Sequence, residues 1–327
     1  MAAQKGIGRL IQVGIARETT RGTTPASATF YIPWAELDVD EKKRFVVDEQ
    51  TRGVIEDSIG QSIVSEWSEA TLKAPIGDKH FPLFLYAIFG TLGTSGPTDS
   101  AYTHTISVQQ GAQHQSVSVY VDDPLAAQDY TYGLGMITGL EIAYERDQFI
   151  TYTANLIAKK GATATLTPAA TSENRFLPQH VTFKLASTQS GLGAASAISI
   201  KSLTLKINQN VEADDVLGST TPADFLNKQF SIEGTVEAIF QNESDFKTAF
   251  LAGTVKAMRL DLTQTVLIGS SSVPKITIDL HSVVFTELTR PIRLNDIVMQ
   301  TLQFKAHYNT TDSKIATVTA INAQSSY

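Results

Sequence analysis

The sequence predicts a mainly β protein built from two tandem β-sandwich domains, each with one flanking α-helix and a long projecting loop or hairpin. The first observation is that apolar and polar residues alternate with period two in many short segments. The second is that both halves of the chain show the same order of predicted elements. The third is the length of 327 residues, which suits two domains at about 150 residues per domain.

The predicted strands follow from the alternation. Strict alternation places one set of side chains on each face of a sheet, so each segment is expected to be a half-buried strand. Val, Ile, Thr and Tyr dominate these segments, as strand propensity expects. Short strands separated by clusters of Gly, Pro, Ser and Asn are typical of a sandwich or a barrel. The alternating segments are 117–121, 140–144, 150–158, 276–280 and 298–306.

Two helices interrupt the strands. The first is expected at about 78–89, where Asp78 would cap the free amides of the first turn and Gly90 would end the helix. The second is expected at about 244–252 and would end at Gly253. An apolar stripe suited to a helix on a sheet is predicted from Phe246, Phe250 and Leu251.

Several segments match between the two halves. Residues 69–74 resemble 233–238 in residue type along their whole length, and 149–158 resembles 297–306 with Thr153 and Thr301 in register. Each half has the order strand, helix, strand, strand, strand. This order favours an internal duplication, and chance similarity between two β-rich halves is the alternative.

The matched halves define the expected domain boundaries. The first domain is predicted at 1–160 and begins with an N-terminal arm at 1–28. A linker rich in Ala, Thr and Ser is predicted at 161–175, and the second domain at 176–327. The stretch 91–100 is rich in glycine and proline and is therefore expected to form a loop tip.

Each half also contains a long acidic segment before its helix, at about 47–64 and 208–227. Connections of this length are unusual inside a compact domain and are usually functional or mobile. We therefore expect two arms that project from the domains. Their candidate contact residues are Asp48, Glu49, Arg52, Glu56, Asp57, Glu212, Asp214 and Asp215.

The composition argues against several classes of protein. The absence of cysteine excludes disulfides, thiol catalysis and cysteine-ligated zinc. A formal net charge of −7 argues against a protein that grips nucleic acid, because such proteins normally carry a basic stripe. The six histidines lack the spacing of a metal site, and no catalytic or membrane-spanning motif is present. We expect no enzymatic activity, no cofactor, no metal and no membrane contact.

Short motifs in a fixed order extend along nearly the whole chain. They lie at 6–9, 14–23, 31–34, 57–58, 77–81, 102–105, 216–219 and 224–235. In this order they resemble the major tail tube proteins of long-tailed (siphovirus-type) bacteriophages. The resemblance implies β-sandwich domains with a flanking helix and a long arm, six of which form a ring. Stacked rings form a hollow tube, and the arms reach the neighbouring ring.

The resemblance also implies partners and a location. The chain is expected to assemble with itself, as trimers with pseudo-sixfold symmetry if the duplication is real, while a hexamer of two-domain chains stays open. A tape-measure protein and tail-terminator or tail-tip proteins are expected partners, and viral DNA passes through the lumen without specific binding. The protein would be made and assembled in the bacterial host cytoplasm and reside in the virion tail. The alternative function is a two-domain β-sandwich tail-tip or adhesin-like binding module.

A lumen through which DNA slides should not attract phosphates. Each lysine or arginine on a phosphate would add affinity, so we expect the lumen to have a net negative potential. The low fraction of charged residues, 18%, fits a subunit with much of its surface against other protein.

Overall fold

The computed structural model describes residues 6–124, 129–240, 246–295 and 297–327 of a mainly antiparallel β protein. The helices are α1 (Phe81–Phe89) and α2 (Lys247–Leu251), with short 3-10 helices at Gly8–Leu10, Pro178–His180 and Gln189–Gly193. The strands are β1 (Gln12–Arg17), β2 (Phe30–Ile32), β3 (Glu36–Asp48), β4 (Gly60–Pro75), β5 (Gly90–Thr98), β6 (Ala101–Val108), β7 (Val117–Asp122), β8 (Tyr130–Tyr144), β9 (Thr151–Lys159), β10 (Ala162–Thr163), β11 (Val181–Ala186), β12 (Ser202–Asp214), β13 (Asp224–Ile239), β14 (Lys256–Thr263), β15 (Lys275–Thr289), β16 (Met299–Ala306) and β17 (Ala316–Asn322).

A central sheet of eight strands runs through both halves of the chain. Its order is β3, β4, β9, β8, β12, β13, β16 and β15. The first four strands come from the first half of the sequence and the last four from the second half. The pairing of β8 with β12 therefore joins the two halves into one continuous sheet.

Strands β8 and β15 each pass from an outer sheet into the central sheet. The first part of β8 pairs with β7 in a first outer sheet of order β2, β1, β7, β8 and β10. The first part of β15 pairs with β14 and β17 in a second outer sheet of order β11, β14, β15, β17, β6 and β5. Buried apolar side chains from all three sheets form one core cluster that includes both halves.

The two halves share strand register as well as strand order. Each irregularity of three ladders in the first half has a counterpart in the second half. The pairs of irregularities are Arg44/Phe45 with Asn210/Val211, Ile137/Gly139 with Phe285/Glu287, and Val117/Val119 with Lys256/Met258. The matched segments 69–74 and 233–238 occupy equivalent ladder positions, because Lys73 pairs with Thr153 and Glu237 pairs with Thr301.

Helix α1 begins three residues later than the sequence predicts. His80 precedes its first turn without a side-chain cap, so the prediction that Asp78 caps the helix is wrong. The Asp78 carboxylate instead accepts hydrogen bonds from Asn174 N at 2.8 Å and Asn174 Nδ2 at 3.0 Å. Gly90 ends the helix as predicted, with a φ of 92° that suits glycine. All nine residues of the helix are buried, as expected for a helix that is apolar on every side.

Helix α2 corresponds to the second predicted helix. Its predicted start at 244–245 lies outside the described residues, and Gly253, with a φ of 59°, follows its end. Phe246 is 1% exposed and Phe250 packs against the core. Leu251 is 71% exposed, so the prediction that it belongs to the apolar stripe is wrong.

The stretch 91–100, predicted as a loop tip, forms strand β5 and the turn into β6. The resulting hairpin leaves the first half and pairs with β17 of the second outer sheet. At its tip the Asp99 carboxylate accepts hydrogen bonds from the backbone N–H groups of Ser270, Ser271 and Ser272 at 2.6–2.8 Å. These N–H groups hold the pKa of Asp99 well below its usual range. The hairpin is therefore a second link between the halves.

The predicted linker and the described part of the predicted N-terminal arm, 6–28, both lie against the first half, while 1–5 lie outside the described residues. Strand β10 within the linker pairs with β8, and Glu173 Oε2 lies 2.6 Å from Nδ1 of the buried His80. The predicted arm at 1–28 includes β1, which lies between β2 and β7 and buries Val13 and Ile15. Strand pairing therefore holds both segments in the first outer sheet, and the contact of Glu173 with His80 also holds the linker against the start of α1.

Candidate assembly surfaces

One face of the central sheet carries mostly polar side chains. Residues directly opposite on antiparallel strands lie on the same face, so their pairings trace rows across the sheet. One row crosses all eight strands through Glu36, Lys73, Thr153, Glu141, Lys206, Glu233, Lys305 and Val284. The other face buries residues such as Leu72, Leu140 and Leu205 in the core. We call the first surface the polar face.

Carboxylates outnumber lysines on the polar face. Up to the register irregularities in β3 and β12, the rows between β3 and β15 contain eight acidic and six basic side chains. The acidic residues are Glu36, Asp38, Asp40, Glu69, Glu141, Glu233, Glu237 and Glu287, and the basic residues are Lys42, Arg44, Lys73, Lys159, Lys206 and Lys305. At neutral pH this surface has an excess of negative charge.

Most of the lysines on the polar face are close to a carboxylate. The ion pairs are Lys73–Glu36 at 3.4 Å, Lys42–Asp40 at 2.9 Å and Lys206–Glu141 at 3.3 Å. Lys305 pairs across the ladder with Glu233. Exposed pairs of this kind contribute only about 0–1 kcal/mol to stability. Their consequence is electrostatic, because each neutralises a positive charge that could otherwise attract a phosphate.

The first predicted arm is a β-hairpin formed by the ends of β3 and β4, with a connecting loop at 49–59. We call residues 43–64 the first arm. Its candidate contact residues Glu49, Arg52, Glu56 and Asp57 are exposed, and Arg52 lies 3.4 Å from Asp48. Its apolar side chains are also uncovered: Phe45, Val46, Val47, Val54, Ile55, Ile59, Ile63 and Val64 are each at least 38% exposed.

The second predicted arm is the matching hairpin of β12 and β13, with a loop at 215–223. We call residues 209–229 the second arm. Asp215 at its turn lies 3.2 Å from Arg44 and accepts a hydrogen bond from Ser65 at 3.0 Å. Glu212 forms an ion pair with Lys228 inside the arm. The second arm therefore lies on the first half of its own chain.

Further contacts fix the base of the second arm. Arg21 Nε lies 2.8 Å from Asp224, and the same guanidinium donates to the carbonyl oxygens of His114 and Phe225. Asp214 pairs with Asp224 across the hairpin. The sequence prediction missed Arg21, Arg44 and Ser65 because isolated polar residues far apart in the chain have no local signature.

Apolar contacts accompany these polar ones. Val211 and Ala213 of the second arm pack against a small buried cluster of Leu134, Met136 and Phe225, with Trp67 alongside. At the tip of this arm Leu217 is fully exposed. The body of the second arm is thus covered by the first half, and its tip projects.

The histidines and acidic residues do not form a metal site among the described residues, where no group of three or more potential ligands comes together. His104 and His114 are buried, and burial lowers the pKa of both imidazoles. His281 lies 2.9 Å from Asp312. Within the same residues, neither helix has the length and apolar character needed to cross a membrane.

Comparison with known proteins agrees with the resemblance to phage tail tube proteins. The model of a family described as phage tail tube protein matches residues 8–306, which include the central sheet and both arms. A search of curated proteins found no match. The family match covers most of the chain. The chain therefore belongs to the phage tail tube protein family.

Proposed function

We propose that three copies of this structural tail tube protein form a ring with pseudo-sixfold symmetry, and that stacked rings form the tube of a long-tailed, siphovirus-type phage. Membership of the family makes the chain a component of the virion tail that assembles into a tube, and suggests a non-enzymatic role. The shared register of the two halves supports a duplicated ring-building domain, with divisions near 160 and 176. Three such chains supply six similar domains.

The polar face is the surface that we propose lines the lumen. It is continuous over eight strands, and the side chains on the opposite face of the sheet are buried in the core. Its excess of carboxylates and its neutralised lysines suit a channel through which DNA slides, because few cations are left to hold phosphates. This face is the single observation that carries the proposal.

The contacts between rings are proposed to come from the arm tips. The loop at 49–59 projects with exposed charged and apolar side chains, and the exposed Leu217 lies at the corresponding tip of the second arm. Stacking of this kind is a head-to-tail contact that does not close, so it builds a filament. A tape-measure protein in the lumen and terminator or tail-tip proteins at the ends complete the proposed assembly in the host cytoplasm.

Replacing residues 50–58 by a two-residue Asn-Gly turn tests the stacking role. The ladder of β3 and β4 ends at Asp48 and Gly60, so the strands should survive the replacement. We expect rings without tubes in negative-stain electron microscopy. Tubes of normal length from this variant would show that the loop is not the stacking element.

Electron microscopy of the purified wild-type protein at rising concentration tests the function itself. We expect hollow tubes whose number grows with concentration. Discrete oligomers of fixed size at every concentration would instead indicate a tail-tip or adhesin-like binding module.

A further inference from the structure

The central sheet ends in two free edges. Among the described residues, β3 pairs with β4 alone, and residues 284–289 of β15 pair with β16 alone. Each edge therefore presents a row of backbone N–H and C=O groups on the side away from its partner. Unpaired edges of this kind are templates for another strand, and proteins normally cover them.

The chain contains one internal example of the junction that would cover them. Strand β8 pairs with β12 in the register Glu141 opposite Lys206, Leu140 opposite Ile207 and Gly139 opposite Asn208. This junction joins the last central strand of the first half to the first central strand of the second half. Its geometry is therefore a template for joining the second half of one chain to the first half of the next.

Equivalent positions follow from the ladders. Glu36 pairs with Lys73 as Ser202 pairs with Glu237, which makes β3 the counterpart of β12. Both β3 and β12 pass through a register irregularity at the same point of the hairpin. Strands β8 and β15 correspond in the same way, with Glu141 opposite Thr153 and Thr289 opposite Thr301.

On the basis of the proposed ring, we propose that β15 of one chain pairs with β3 of a second copy in the register of the β8–β12 junction. Thr289 then lies opposite Asp40, Leu288 opposite Glu41, and Glu287 opposite Lys42. Arg290 lies opposite Val39. Pro291 has no N–H group, so the ladder is limited to residues 287–290.

The charges at the two edges are complementary in this register. Glu287 faces Lys42, and opposite charges directly across a ladder stabilise a sheet by roughly 0.2–1 kcal/mol. Beyond β15 the chain continues with Arg290 and Arg293, while the start of β3 carries carboxylates at Glu36, Asp38 and Asp40. The two edges therefore attract each other as they approach.

The first arm provides a second contact in the same arrangement. Phe45 and Val47 occupy the ladder positions of Val211 and Ala213, which are packed on Met136 and its neighbours in the second arm's contact. Phe45 and Val47 are 43% and 44% exposed. The counterpart of Met136 is Val284, so in the proposed ring Phe45 and Val47 lie beside Val284 of the next copy. The body of the first arm then acts within a ring, and its tip stays free for stacking.

Cysteine cross-linking tests this register on a background without cysteine. Single variants Asp40→Cys and Thr289→Cys are mixed, assembled and oxidised, then separated on a non-reducing gel. Directly opposite residues have the Cα separation that a disulfide needs. The double variant Glu141→Cys/Lys206→Cys is a matched positive control, because its cysteines occupy the equivalent positions inside one chain.

We expect the mixture to give a cross-linked dimer at a rate close to that of the control. Mixing Asp38→Cys with Thr289→Cys should give at least tenfold less, because diagonal neighbours lie too far apart for a disulfide. The chain with both Asp40→Cys and Thr289→Cys should give gel bands of one, two and three cross-linked chains and no larger species. The register is overturned if tubes form and the off-register mixture cross-links as well or better. Failure of the wild type to form rings or tubes would overturn the proposed function instead.

Discussion

The substitution Phe45→Ala separates assembly from folding. The Phe45 side chain is 43% exposed in the single chain and lies outside the core. A phenylalanine offers on the order of 200 Å² of surface, so the exposed part is roughly 80 Å². At about 25 cal/mol per Å², covering it in a ring stabilises each junction by about 2 kcal/mol. Loss of that amount weakens each junction about 30-fold, since about 1.4 kcal/mol corresponds to a factor of ten.

Sedimentation velocity over a concentration series measures the effect. Because a closed ring of three chains has three such junctions, we expect the concentration at which Phe45→Ala leaves the monomer state to rise at least 30-fold, with no change in the unfolding midpoint of the monomer. Phe149→Ala is the matched control, because Phe149 is also 43% exposed but lies on the connection between β8 and β9. An unchanged assembly concentration for Phe45→Ala, or an equal shift for Phe149→Ala, would refute the proposed position of the first arm.

Three further predictions concern the core, the lumen and the Asp99 contact of the β5–β6 hairpin. Leu85→Ala should lower the free energy of unfolding by about 2–5 kcal/mol because Leu85 is fully buried, whereas Leu251→Ala should change it little, and denaturant titration measures both. Glu233→Lys should increase DNA retention by assembled tubes and make it more salt-dependent, and filter binding at two salt concentrations checks this; unchanged retention would place Glu233 outside the lumen. Because folding lowers the pKa of Asp99, its stabilising contribution is complete above the unfolded pKa of about 3.9 and is lost as the pH falls through the folded value. Asp99→Ala should therefore speed hydrogen exchange in the β5–β6 hairpin at pH 6, and equal exchange rates in both proteins would contradict this role.

Local patterns predicted strands at all five alternating segments, because alternation matches the period of a strand. Segments 69–74 and 233–238 could be matched for the same reason. In 140–144, 150–158 and 298–306 the alternation reflects one buried and one more exposed face. Residues 117–120 and 276–280 are buried on both faces, so the prediction that these strands are half-buried is wrong. The β5–β6 hairpin escaped prediction because β5 is polar and rich in glycine, and its place depends on pairing with β17 far along the chain. A local pattern contains no information about such a distant partner.

The candidate arm residues show the same limit. Their location in two long hairpins followed from segment length and charge, but no local pattern distinguished one arm from the other. The structure distinguishes them, since Asp215 meets Arg44 and Ser65 while the charged residues of the first arm's loop stay exposed. The difference arises because only the second arm has a preceding half of the same chain to lie on. The Asp78 cap failed for a related reason, since Asn174 from the linker competes for its carboxylate.

A cryo-electron microscopy map of assembled tubes, averaged along the tube axis, tests the central claim most directly. The account predicts three chains per ring and a lumen lined by three copies of the central sheet, with the side chains of Glu141, Lys206 and Glu233 pointing inward. Six chains per ring, or a lumen lined by an outer sheet, would contradict it.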